Sequence, residues 1–220
     1  LILYPVSNGW LRVATLICLA LLWAGLLGFC WRWKALRLAV LTLTLLVIVG
    51  LNLPGRHPDK QALRERYIHA LRSYEGIRYV WGGENRLGID CSGLVRVGLI
   101  NANFREGLET LNPGLMRAGL SLWWQDCSAR ALGEENRQFA RHLFEAPAIN
   151  RLDQTQLQPG DFAVTDDGVQ VMAYLGGRDW IAADPDERRV LVLSVPTTNA
   201  WFGSPVKLLR WRQLDATGQE

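Results

Sequence analysis

The residues best suited to chemistry lie in one stretch, Tyr74 to Gly93, YEGIRYVWGGENRLGIDCSG. It ends in Asp90-Cys91-Ser92-Gly93 and runs on through Leu94-Val95-Arg96-Val97-Gly98-Leu99-Ile100, an apolar run of the kind that opens a buried helix. Cys91 is thereby expected at a helix start, where unpaired backbone N–H groups and the positive end of the dipole favour an anion. The thiol pKa should then fall below its free value, which is how a nucleophile is made. Gly82, Gly83 and Gly88 upstream allow tight turns and close backbone approach, as a cleft over the sulfur needs. The alternative is that Cys91 packs as a small hydrophobe, as most isolated cysteines do.

Three motifs in order, Tyr79-x-Trp81-Gly82-Gly83, Asp90-Cys91-Ser92-Gly93 and Leu157-Gln158-Pro159-Gly160-Asp161, resemble those of the NlpC-type papain-like cysteine peptidases, bacterial cell-wall endopeptidases. The resemblance covers about residues 60 to 212. It implies that Cys91 attacks an amide of the peptidoglycan stem peptide, with a base on a following strand and a third polar residue to orient that base. It also implies that Tyr79, Trp81, Asp90 and Ser92 hold the substrate, with Tyr79, Asp90 and Ser92 around the free amine end of the peptide.

At two catalytic positions the chain departs from that pattern. The family's His-Val-Gly-Ile-Tyr-Leu-Gly corresponds to Gln170-Val171-Met172-Ala173-Tyr174-Leu175-Gly176, which puts Gln170 where the base belongs. Its Phe-Ile-His-Ala corresponds to Trp180-Ile181-Ala182-Ala183, which puts Ala182 at the third position. A glutamine amide donates and accepts hydrogen bonds but cannot take a proton. Losing a positioned base costs about a hundredfold to ten-thousandfold in rate. His69 and His142 are the remaining candidates for a substitute base, although their spacing does not call for it.

These residues need a helix–sheet frame. Pro54 to Pro58 reads as a linker, after which Asp59 caps a helix with Leu63, Tyr67, Leu71 and Tyr74 at helical spacing, stopped by Gly76. Residues 161–165, 169–175, 180–184, 190–195 and 206–211 read as short strands joined by Gly- and Pro-containing turns, hence an antiparallel sheet. Helices first and strands after give an α+β fold, a papain-like domain with the Cys91 helix laid on the sheet. Residues 101–153 form a helical insertion in this reading, with a charged helical stretch from Arg130 to Glu145 that places His142 on a solvated face. Within it, Trp123 and Trp124 suit either a groove wall or the core.

The first 55 residues are of another kind. Two apolar runs, expected as spans at about 11–31 and 35–53, approach the roughly 20 residues that a membrane helix needs, if Arg37 snorkels to the interface. They read as a transmembrane hairpin rather than a signal peptide, which would have a basic leader, a shorter core and a cleavage site. The domains are then 1–55, the hairpin, and 56–220, the NlpC-type domain. The chain opens on Leu1, not methionine, which leaves room for residues ahead of it.

Net charge is +3 from 24 basic and 21 acidic residues, but Arg12, Arg32, Lys34 and Arg37 all lie in the hairpin, which has no acid. The rest holds 20 basic against 21 acidic residues, or −1, which argues against nucleic-acid binding. Arg32, Lys34 and Arg37 between the spans place that loop in the cytoplasm and both ends outside; the resemblance implies that the membrane is a bacterial inner membrane. Of four cysteines, Cys18 and Cys30 fall in the first run, and no Cys/His cluster has metal-ligand spacing, so neither a disulfide framework nor a cofactor is expected. The expected partners are the lipid bilayer and a peptidoglycan stem peptide. Three functions fit: a membrane-anchored cysteine hydrolase, a non-catalytic cell-wall peptide-binding module, and a lipid-directed thiol acyltransferase of the same superfamily.

Overall fold

The computed structural model describes residues 4–125, 128–134 and 139–215. Cys127 and part of the Arg130–Glu145 stretch lie outside the described residues. Helix α1 (Gly9–Phe29) is capped by Asn8, whose side chain accepts the Leu11 N–H. Helix α2 (Lys34–Asn52) returns beside it, and the Trp23 indole N–H donates to Thr44 Oγ1 across the pair at 3.0 Å. Both are long and apolar enough to cross a membrane, and their side chains are exposed along nearly the whole length. Arg37, in the first turn of α2, lies over the Trp31 ring of the connection, 4.8 Å from its centroid.

Asp59 accepts the Gln61 and Ala62 N–H groups and so opens α3 (Lys60–Arg72), whose Leu63, Tyr67 and Leu71 face inward as their spacing requires. Two short strands, β1 (Glu84–Asn85) and β2 (Gly88–Ile89), pair just before the central helix α4 (Cys91–Glu109). Every residue of α4 from Cys91 to Ile100 is buried, so its first half is enclosed on all sides, while Arg105 and Leu108 in the second half are exposed. A Cβ at Gly98 would meet Tyr67 and Leu71 at 2.9 Å, so the missing side chain is what lets α3 pack this closely. Helix α5 (Pro113–Trp124) follows, with Asn112 as cap and Pro113 in its first turn, then the short α6 (Ala129–Gly133).

Six strands complete the domain: β3 (Ala140–Ala146), β4 (Phe162–Thr165), β5 (Val171–Gly176), β6 (Asp179–Asp184), β7 (Arg189–Ser194) and β8 (Val206–Trp211). They form one antiparallel sheet in the order β3-β8-β4-β5-β6-β7. One face packs on α3 and α4 through Phe162, Val171, Ala173, Ile181 and Ala183. The other carries a second apolar cluster around Trp180, Phe202, Ile149 and Leu208. Burial on both faces explains why these strands read as nearly continuous apolar runs.

The helical stretch expected from Arg130 to Glu145 is corrected. Helix α6 stops at Gly133, and residues 140–146 form β3, paired with β8 from Ala140↔Trp211 to Ala146↔Val206. Arg141 and Glu145, two of the charges that suggested a solvated helical face, belong to an edge strand, where charged side chains discourage further strand pairing. His142 therefore lies on an edge strand opposite Leu209, half-buried. Of the two tryptophans, Trp123 packs against the main core and Trp124 is exposed.

Candidate active site

Asp90 is the keystone of the site. As the cap of α4 its carboxylate accepts the Gly93 N–H at 2.6 Å and the Ser92 hydroxyl at 3.1 Å, while its second oxygen accepts the Gly82 N–H at 2.8 Å. One carboxylate thus ties the Tyr79–Gly83 turn to the helix start. Gly82 sits at φ +71, a backbone conformation that suits glycine. Gly93 has no room for a Cβ, because the Gly83 carbonyl oxygen occupies that space. Burial raises the Asp90 pKa, against the lowering effect of the Gly93, Gly82 and Ser92 hydrogen bonds. A carboxylate has about four acceptor sites, so three donors leave it one.

Cys91 opens α4 as its sequence position requires, and it is 5% exposed. Its thiol donates to the Val169 carbonyl at 3.5 Å. The expected low pKa is corrected: burial, and then the adjacent Asp90 charge, push the thiol up to about 12. The N–H groups of Val171, Ser92 and Cys91 itself do pull it down, but by less. The helix-start effect is present and is outweighed by desolvation and by a neighbour of the wrong sign.

The structure brings Cys91 against the backbone on either side of Gln170, at Val169 and Val171. Gln170 is buried, its amide donates to the Ala183 carbonyl at 3.0 Å, and its backbone N–H donates to Thr165 Oγ1. Ala182 packs with Met172, Tyr174 and Trp180 in the second apolar cluster. Tyr79 is half-buried, and its phenol pKa is raised by burial first and then by Cys91, Asp90 and Asp184. Trp81 is 76% exposed on the rim.

Tyr79, Trp81, Asp90, Cys91 and Ser92 line one cleft of about 710 Å³, together with Val169, Arg130, Ser7, Glu84 and Arg96. Among the described residues no histidine lines it. His69 borders separate depressions with Arg66 and Arg105, His57 borders another beside Gly114, and His142 lies three strands from β5.

Sequence reading missed four participants. Glu84 receives the Arg12 guanidinium at 2.9 and 3.0 Å and also pairs with Arg96. Arg12 further donates to Ser7 Oγ and to the Trp124 carbonyl, and Arg96 to the Leu122 and Gln125 carbonyls. Residue 6 bridges to Gly83, and the Ser7 N–H donates to the Gly82 carbonyl at 2.9 Å. Contacts therefore cross the expected boundary at residue 55, and the segment ahead of α1 forms part of the cleft wall. The available signal was Arg12 itself, a lone charge one turn into an apolar helix, which calls for a carboxylate partner.

A search of the curated proteins finds no match. Among solved structures, NlpC1 from Trichomonas vaginalis is 17% identical, with 67% of this chain and 43% of that one covered and a TM-score of 0.44. An NlpC/P60 family protein from Bacillus cereus is 17% identical, covering 76% and 43%, with a TM-score of 0.44. The peptidoglycan hydrolase RipB from Mycobacterium tuberculosis is 21% identical, covering 74% and 76%, with a TM-score of 0.42. The chain spans less than half the length of the first two. The sequence profile of the NlpC/P60 family matches residues 76–207, more than half of the chain and every residue of the Cys91 cleft except Ser7. On that match, the chain belongs to the NlpC/P60 family.

Proposed function

We propose that this chain is a membrane-anchored NlpC/P60 module that holds peptidoglycan stem peptides in the Cys91 cleft without hydrolysing them at an enzyme-like rate. The observation that carries this reading is the state of the nucleophile. The Cys91 thiol donates to the Val169 carbonyl, burial and the Asp90 charge push its pKa up, and among the cleft's described residues no histidine stands beside it. By sequence correspondence Gln170 stands for the base and Ala182 for the third residue; Ala182 packs in the second apolar cluster, on the sheet face away from α4, and neither side chain can accept a proton. Asp90, with one acceptor site left, is assigned the free amine end of the peptide. Tyr79 and Ser92 flank that amine, and Trp81 supplies an apolar wall. Helices α1 and α2 are the anchor, with the basic loop at Arg32–Arg37 inside and the domain outside.

The active-hydrolase reading is favoured by a different observation: the N–H groups of Cys91 and Ser92 point at the sulfur, where an oxyanion would also find donors. One substitution separates the two. Gln170→His puts a group able to take a proton between Val169 and Val171, the backbone that Cys91 abuts. Cleavage of a stem tetrapeptide should rise roughly a hundredfold or more over the unaltered chain, and Cys91→Ala should abolish the gain. Turnover by the unaltered chain at that same rate, lost in Cys91→Ala, would overturn the binding-module reading.

A further inference from the structure

We infer that the cleft takes its peptide from the bilayer surface: its ligand is a short peptide with a free amino end that is carried on a lipid headgroup. This rests on the reading of α1 and α2 as membrane spans and of the Cys91 cleft as a peptide site. The argument is one of placement. Ser7, in the cleft wall, is bonded to Gly82 of the site loop, and Val13, the first exposed apolar residue of α1 beyond Arg12, lies roughly 6 Å of helix rise past Gly9, which follows Ser7 by two residues. No flexible tether separates the two. Arg12, in the first turns of α1, is buried against Glu84, which itself lines the cleft.

The other end of the hairpin is fastened too. Arg117 of α5 donates to the Leu51 and Leu53 carbonyls at the end of α2, and the Arg56 N–H donates to Asn112 at the cap of α5. Two attachments hold the domain at one height and orientation over the membrane. Three exposed tryptophans surround the junction: Trp10 on α1, Trp81 beside Gly82, and Trp124, whose carbonyl accepts from Arg12. Exposed indoles grouped around the start of a span are the signature of the headgroup layer, and Trp81 is also on the rim of the cleft. The cleft mouth therefore opens at headgroup depth, within reach of a peptide attached there and set against one approaching from deep solvent.

The test uses the full chain in nanodiscs of phosphatidylethanolamine and phosphatidylglycerol, and a photocrosslinking tetrapeptide, Ala-γ-Glu-Lys-Ala, with a free amino end. The peptide is supplied free, joined directly at its carboxyl end to phosphatidylethanolamine, or joined through a long polyethylene glycol spacer. At matched total concentration, the directly joined form should label residues 79–92 about tenfold or more above the free form, as effective concentration dictates. The long spacer should do no better than the direct link. Equal labelling by free and direct forms, or labelling that requires the long spacer, overturns the inference while leaving a peptide site in place. No labelling by any form, even with millimolar free peptide, overturns the peptide-site reading and this inference with it.

Discussion

At the residue scale the site is defined by how Asp90 and Cys91 divide the work. Asp90 uses three acceptor sites to lock the Gly82 turn onto α4, and its charge helps keep the neighbouring thiol protonated. Modification of Cys91 by iodoacetamide, followed by peptide mass spectrometry, should be slow near neutral pH and rise about tenfold per pH unit well past pH 9, because only the thiolate reacts. A plateau near pH 7 would mean the helix start prevails. The same shift bears on stability. The folded thiol titrates at about 12 and an unfolded one near 9, so between those values the folded state holds the extra proton and stability falls as pH rises. Urea melts across that window should show the loss, and Cys91→Ala should reduce it. That Cys91 starts a buried helix just after a glycine turn was legible in sequence, because turn and helix-start signals are local. The direction of the thiol's pKa shift was not, since desolvation is set by segments that arrive from β5 and the loop before it.

At the element scale, helices with caps and strands with turn punctuation were readable, and β3 was not. Its charged residues mimic a helical face, and only the pairing with β8, some 65 residues away in sequence, decides otherwise. The fit of α4 against the glycine turn also depends on contacts between separate segments. Gly93→Ala would drive a methyl group into the Gly83 carbonyl, so it should destabilise the domain by about 1–3 kcal/mol, as overpacking does. Thermal melts of the variant check this, and an unchanged midpoint would refute the close approach. The junction with the hairpin makes a second prediction. A fragment beginning at residue 56 retains α3, α4 and the whole sheet, so it should still fold cooperatively, but without Arg12 on Glu84. We expect it to be about 2 kcal/mol less stable than the full chain, near the worth of a charged hydrogen bond, as read by urea melts of both in the same detergent.

At the scale of the whole molecule, the sequence suggested two modules joined by a linker, whereas the structure interlaces them. The Arg12–Glu84–Arg96 network and the bridge between residue 6 and Gly83 join segments more than 70 residues apart, which no local pattern can announce. The proposed orientation, read from the loop charges, predicts that a periplasmic-only reporter fused after Glu220 is active and a cytoplasmic-only one silent. The opposite result would remove cell-wall peptide as a ligand. The central claim is that the cleft binds stem peptide and leaves it whole. Titration calorimetry of the full chain with Ala-γ-Glu-Lys-Ala, followed by mass spectrometry of the recovered peptide, tests it most directly. Saturable heat that disappears when the peptide's amine is acetylated, with the peptide recovered intact, is the predicted result; no binding heat, or Cys91-dependent fragments, would contradict it.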